Sequence, residues 1–424
     1  AMPRLHPGPV ASDLTDRFAQ VRRLSAALCE PLEPEDLVLQ SMPDASPPKW
    51  HLAHTTWFFE TFVLRPHVPG YRVFHPAFDH LFNSYYESVG SFHPRTRRGM
   101  LSRPTFAQVC AWREHVDAAV HTLLETAADV AEAPFGGLVE LGLHHEQQHQ
   151  ELLLMDVKHH LGTQPLQPAY RADLPTPPAG PAPRERRVRF AGGVREVGHL
   201  GPGFAFDNES PRHRVFVEPF ALAAAPVSNA QWLDFIADGG YRNPLLWLSD
   251  GWAAVQARGW EAPLYWHQAH GQWLHYTLGG VRPLNLHAPV AHVSFYEADA
   301  FARWAGAGLP TEAQWELAAT DAPVAGNLLA TGLLEPAPLD ALEGLAGLFG
   351  DVWEWTASPY TAYPGFQPPA GALGEYNGKF MSGQMVLRGG CCVTPAEHIR
   401  PTYRNFYPPD ARWPFAGLRL AWPA

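Results

Sequence analysis

His145 and His149 stand four residues apart in the run His144-His145-Glu146-Gln147-Gln148-His149-Gln150-Glu151. At about 100° per residue, that spacing puts two imidazoles on one face of a helix, where they can share a transition-metal ion once another element brings a third ligand. Neutral imidazole suits iron as well as zinc, so residue type alone leaves the metal open. The spacing is a weak signal by itself, because 22 histidines in 424 residues give roughly one such pair by chance. Glu151 is turned well off the face that carries the two histidines and suits a place behind the ligands, not among them. Gln148 lies beside the histidine face, within reach of a substrate held next to a metal. A third imidazole is available from Trp50-His51-Leu52-Ala53-His54, where His51 and His54 are spaced i, i+3 and either would complete the set.

Two further groups carry chemistry. Tyr85-Tyr86 offers phenols for proton transfer. Arg95, Arg97 and Arg98 offer guanidinium groups suited to a substrate carboxylate, or simply a solvated basic face.

The elements that must position these residues are legible as four helices. The first starts near Ser12 and carries Leu14, Phe18, Val21 and Leu28 on one face. The second follows Pro47-Pro48, prolines suited to a first turn, and runs through Trp50, His54, Trp57 and Phe62. The third begins at Thr105, with Gln108 at the capping-box position. The fourth follows Gly136-Gly137, and its stripe of Leu138, Leu141, Leu152 and Met155 predicts that His145 and His149 point inward. Four such helices with one long connection, 63–104, make a bundle whose interior can house a metal. A connection of that length suggests a functional loop.

Composition bounds the rest. The hydrophobic content of 46% against 17% charged residues supports sizeable cores. A formal charge of −11 without a basic run argues against nucleic acid and anionic membranes as partners. No apolar run has transmembrane length. Cys29, Cys110, Cys391 and Cys392 are too few for a disulfide framework and point to a reducing, cytoplasmic setting. Seven prolines between Pro165 and Pro183 read as an extended linker. Beyond it the chain is rich in Trp, Gly and Pro, with short helices predicted over 228–236 and 296–304 and another capped by Thr311. The expected architecture is an α+β multidomain chain: a helical bundle over 1–164, a linker over 165–185 and a loop-rich α+β domain over 186–424.

These residues also carry a family resemblance. Trp50-His51-Leu52-Ala53-His54 with Trp57-Phe58-Phe59-Glu60, and His145-x3-His149-x-Glu151, resemble the DinB-like iron-binding domain of the ergothioneine-biosynthesis sulfoxide synthases. The segments 309–316 (Leu-Pro-Thr-Glu-Ala-Gln-Trp-Glu), 350–356 (Gly-Asp-Val-Trp-Glu-Trp-Thr), 387–390 (Leu-Arg-Gly-Gly) and 415–419 (Phe-Ala-Gly-Leu-Arg) resemble the second half of the same proteins. That half is similar to formylglycine-generating enzymes, which have a C-type-lectin-like fold. The motifs together span nearly the whole chain, in the family's order.

The resemblance implies a non-haem iron(II) enzyme that uses O2 to join a thiol sulfur to imidazole C2 of Nα-trimethylhistidine (hercynine), leaving a sulfoxide. It implies His54, His145 and His149 as metal ligands, with His51 a helix neighbour. Gln148, Asn405 and Phe406 match the family's hercynine site, where an aromatic face suits a quaternary ammonium. The subtype that uses γ-glutamylcysteine places an acid and an arginine where this chain has Tyr407 and Ala411. Free cysteine is therefore expected as sulfur donor, with Arg95 and Arg98 as carboxylate partners. That subtype's proton-donating tyrosine lies in the C-terminal domain. The corresponding stretch here, Gly371 to Phe380, matches poorly, so Tyr85 or Tyr86 is expected to supply the proton.

Three other readings compete. An ovothiol-type synthase would join cysteine to C5 of histidine, but such proteins commonly carry a methyltransferase, and no nucleotide fingerprint occurs here. A formylglycine-generating oxidase would use Cys391-Cys392, and has no need of the helical bundle. A non-catalytic, metal-stabilised ligand-binding protein would need a closed structural site, for which three histidines without cysteine or carboxylate are unusual.

Overall fold

The computed structural model describes residues 14–183, 185–339 and 343–424. Ser12, expected to open the first helix, lies outside them. Internal contacts divide the chain into two units, Ala1–Tyr170 with Ala370–Tyr376, and Arg171–Pro369 with Asn377–Ala424. The short segment 370–376, expected within the C-terminal domain, belongs with the helical unit.

The first unit contains α1 (Leu14–Cys29), α2 (Pro48–Phe58), α3 (Arg65–His67), α4 (Phe78–Phe82), α5 (Phe106–Thr126) and α6 (Gly136–Gly162). Pro48 occupies the first turn of α2, where its missing N–H costs nothing. Thr105 and Gln108 close the expected capping box on α5. The second helix does not simply end near Phe62: a π-helical turn, Phe59–Leu64, joins α2 to α3. The connection 63–104 is ordered by α3, α4 and a 3₁₀ segment, Arg95–Met100.

Helix α6 departs from the expected stripe. Its buried positions are not a single stripe: Leu138, Leu141 and Leu152 are partly exposed, while Leu143, Glu146, Gln150, Leu153 and Leu154 are buried with His145 and Met155. The helix is central, so polar residues on its other faces are also enclosed and must be paired. Glu146 accepts from Arg22 of α1 at 2.7 Å and from Arg113 of α5 at 2.9 Å, and Arg22 also donates to Thr56 of α2 at 2.9 Å. One buried carboxylate therefore ties four helices together.

The second unit opens with β1 (Arg187–Phe190), β2 (Gly193–Val197), β3 (His213–Val217) and β4 (Phe220–Ala223). It continues through β5 (Trp266–Ala269), β6 (Gln272–Thr277), β7 (Gly280–Pro283) and β8 (Trp353–Pro359). The last strands are β9 (Met385–Arg388), β10 (Asn405–Tyr407), β11 (Ala416–Gly417) and β12 (Ala421–Pro423). They form sheets in the orders β1-β4-β12, β10-β9-β8-β11, β2-β3 and β5-β6-β7, with β11 parallel to β8. Helices α7 (Asn229–Ala237), α8 (Ser249–Arg258), α9 (Phe295–Trp304) and α10 (Glu312–Ala319) pack with them, and capping boxes at Ser228, Ser294 and Thr311 start three of the four. The family-like motifs supply core: Trp315, Trp353 and Trp355 are buried, and Arg388 and Arg419 pair inside with Glu312, Glu316 and Glu354. The proline-rich stretch is free of helix and strand, and its carbonyls at Leu174 and Pro178 accept from Arg282 and Asn285. Among the described residues no helix is long and apolar enough to cross a membrane.

Candidate metal centre

Helix α6 carries His145 and His149 one turn apart, and α2 presents His54 to them. One ring nitrogen from each of the three lies within 4.8 Å of the others. The ring centroids are 4.6 to 5.0 Å apart. His54 and His145 are buried, and His149 keeps some exposure.

The donor chemistry fits a divalent transition ion. His54 Nδ1 is 2.6 Å from the Phe82 carbonyl, which can only accept, so the proton sits on Nδ1 and Nε2 keeps its lone pair. Nε2 of His54 and both ring nitrogens of His145 are buried without a hydrogen-bond partner among the described residues, an arrangement that costs free energy unless something binds there. All three rings are held neutral. Burial first, then repulsion from His145, moves His54 well below the ordinary histidine range, against the Phe82 hydrogen bond. Burial takes His145 down to about 3. Desolvation and the neighbouring His145, His54, His51 and Arg98 lower His149 well below its usual value. Neutral imidazole is the ligating form.

Aromatic walls fix the α2 ligand. His54 is stacked between Trp50, at 4.6 Å, and Trp57, at 5.6 Å, while Phe58 lies 4.7 Å from His145. The Arg98 guanidinium covers the other face of Trp50 at 3.4 Å. Arg98 donates to Ser46 Oγ at 2.9 Å and Ser84 Oγ at 3.0 Å, and among the described residues no carboxylate forms an ion pair with it. Burial and then the nearby Arg95 push it well below the usual arginine range. Arg95 is exposed and donates to the Asp44 carbonyl.

The expected tyrosines lie close by. Tyr86 is buried, 5.4 Å from Trp57, and Tyr85 stacks on it at 4.6 Å. Burial, then the adjacent Tyr85 and Tyr376, raise the Tyr86 phenol well above its ordinary value. Sequence reading passed over Tyr376. Its ring lies 5.6 Å from His145 and 6.4 Å from Tyr85, and its hydroxyl donates to Gln148 Oε1. No motif marks it; the signal is that segment 370–376 belongs to the helical unit. Glu375 fastens that segment by accepting from the backbone N–H groups of Glu87 and Ser88 at 3.2 and 3.0 Å, and from Ser88 Oγ. His51, an alternative third ligand by spacing, sits 2.9 Å from His149 Nδ1 and 2.7 Å from Asp156. Glu151 is buried in α6.

Asn405 and Phe406 belong to the second unit. They lie on β10, with Phe406 stacked on Tyr360 at 4.1 Å and near Phe380 at 5.8 Å. Tyr407 packs against Trp413, and Ala411 is buried.

Known families match the chain in two parts. Residues 17–153 match the DinB superfamily, and residues 175–335 and 331–424 match the sulfatase-modifying factor enzyme 1-like domain. A hercynine oxygenase of Mycolicibacterium thermoresistibile is 33% identical over 98% of this chain and 95% of its own length. One from Mycolicibacterium smegmatis is 33% identical over 96% and 98%. A formylglycine-generating enzyme of Bos taurus is 27% identical over 58% of this chain and 76% of its own.

Proposed function

This chain belongs to the hercynine oxygenase family, and from that premise we propose a non-haem iron(II), O2-dependent sulfoxide synthase of ergothioneine biosynthesis. It joins the sulfur of cysteine to imidazole C2 of hercynine. The group His54, His145 and His149 carries the reading: the three imidazoles converge, the open donors of His54 and His145 have no hydrogen-bond partner among the described residues, and three histidine ligands would leave positions for substrates. Bound iron(II) supplies the redox chemistry by which O2 is reduced.

The stoichiometry shows what the protein must control. Thiol, imidazole C–H and O2 give the C–S bond, one S=O and one water, with the two hydrogens lost from S–H and C2–H ending on water. The thiol alone can consume the same O2 to give a sulfinic acid. Placing the imidazole beside the sulfur and delivering a proton decide between the two outcomes.

In this reading Tyr376 holds that proton, supported by its hydroxyl's hydrogen bond to Gln148 and its ring's contact with His145. Tyr85 and Tyr86 stand behind it in the same aromatic cluster. Gln148 orients the hercynine imidazole. Arg98, buried and in no ion pair among the described residues, receives the cysteine carboxylate, with Arg95 as the outer contact. Tyr407 and Ala411, lacking charge, favour cysteine over γ-glutamylcysteine. Four free thiols accord with a cytoplasmic setting.

The test is iron-loaded protein with hercynine and O2, offered cysteine and γ-glutamylcysteine in parallel, with linkage read by NMR. The expected product is a C2-linked cysteinyl sulfoxide. Product from histidine but not hercynine would overturn the reaction assigned. Turnover with γ-glutamylcysteine alone would overturn only the sulfur donor.

A further inference from the structure

Helix α6 carries Asp156 two turns beyond His149, on nearly the same face. His51, one turn before His54 on α2, lies between them. Its Nε2 is 2.7 Å from Asp156 Oδ2, and its Nδ1 is 2.9 Å from His149 Nδ1. Asp156 Oδ2 also accepts the Ser46 backbone N–H at 2.9 Å. Both His51 and Asp156 are buried.

Proton accounting gives this chain of contacts a direction. The Asp156 carboxylate accepts, so His51 carries its proton on Nε2. When His51 holds that single proton its Nδ1 is bare, and the 2.9 Å contact then takes its N–H from His149 Nδ1. The only tautomer of His149 that satisfies the contact leaves its Nε2 free to ligate. His54 is oriented by a carbonyl, whereas His145 has no orienting partner among the described residues.

We propose that His51 and Asp156 are positioning residues for the metal centre: they fix the tautomer of His149 and, through the carboxylate, strengthen it as a donor. The inference rests on the reading of the three-histidine group as a metal site. Such partners typically change metal affinity 10- to 100-fold when removed.

The test measures Co(II) affinity of the full chain by chelator competition, together with the Co(II) ligand-field absorption. His51→Phe removes the acceptor for His149. His51→Gln restores an acceptor without the link to Asp156, and Asp156→Asn removes the charge alone. The expected result is unchanged stoichiometry, a dissociation constant raised about 10- to 100-fold in His51→Phe, partial recovery in His51→Gln, and a shifted absorption band. Asp156→Asn should weaken binding less than His51→Phe. Thermal unfolding of the metal-free protein identifies any variant that fails to fold, and Asp156→Asn with His51→Gln then decide. Unchanged affinity and spectrum in the folded variants, with metal bound by the parent chain, would overturn the relay. A fall in stoichiometry in His51→Gln would overturn it too, by making His51 a ligand. A parent chain that binds no Co(II) would instead remove the three-histidine site beneath the inference, an outcome separate from either.

Discussion

At the scale of the residue, the imidazoles of the candidate metal centre are held by different devices, a carbonyl behind His54 and His51 behind His149. The i, i+4 pair His145 and His149 is a spacing, and a helix fixes what a spacing means. The choice between His51 and His54 was a different matter, since both face inward. What separates them is which carbonyl and which carboxylate lie opposite, Phe82 and Asp156, and these are set by tertiary packing. Tyr376 was invisible for the same reason. If its hydroxyl delivers the proton, Tyr376→Phe should lower sulfoxide formation about 100-fold or more while cysteine sulfinate accumulates, whereas Tyr85→Phe and Tyr86→Phe should change the ratio less. Quantifying both products by mass spectrometry tests this, and an unchanged ratio in Tyr376→Phe would remove its role. The histidines also set an acid limit. Desolvation lowers His54, His145 and His149, and holds His145 near 3 and His159 near 4. The unfolded chain takes up protons near pH 6.5 that the fold refuses, so stability is complete above about that pH and falls as pH drops below it. Metal-free protein should lose up to about 1.4 kcal/mol per pH unit for each such imidazole between about pH 6.5 and pH 4. Urea midpoints against pH would check the slope, and a flat profile would contradict it.

At the scale of the element, capping and proline signals placed helix starts well, because a cap is a local hydrogen bond. The faces of α6 were misjudged because a stripe argument assumes a helix at the surface. Here Gly142 shows how closely α6 is approached: a Cβ at that position would lie 2.5 Å from Phe59 Cε1 and 3.1 Å from Phe58 Cε1. Phe58 in turn lies against His145. Gly142→Ala should therefore disturb the metal centre out of proportion to its effect on the rest of the bundle, weakening Co(II) binding with a modest fall in melting temperature. Glu146→Ala should do the reverse. It strands Arg113 without its carboxylate and leaves Arg22 with Asp117 alone, which costs about 3–5 kcal/mol, far more than any direct loss at the metal. Parallel melts and metal titrations of the two variants separate these outcomes. Equal losses in both measurements would show that helix packing and ligand geometry are not distinguishable here.

At the scale of the whole molecule, two known families in tandem were legible from motif order, and the matched residues follow that order. What order could not disclose is that residues 370–376, inside the range matched by the second family, belong by contacts to the first unit. Glu375 is the fastener: its carboxylate takes two backbone N–H groups and a hydroxyl from the 87–88 turn, within the connection suspected of function by its length. That places Tyr376 by a device outside the metal's ligands, so metal binding and proton delivery should come apart on mutation. Glu375→Ala is expected to leave Co(II) affinity and melting temperature near those of the parent chain, because the carboxylate's contacts are solvent-exposed. It should nevertheless shift the product ratio toward sulfinate in the same direction as Tyr376→Phe and by less, since the phenol is loosened and not lost. Glu375→Gln, which keeps an acceptor for the two N–H groups, should recover part of the ratio. A product ratio identical to the parent's in Glu375→Ala would mean that Tyr376 is held by Gln148 and its ring neighbours alone, and the segment's attachment would then have no part in choosing between the two fates of the sulfur.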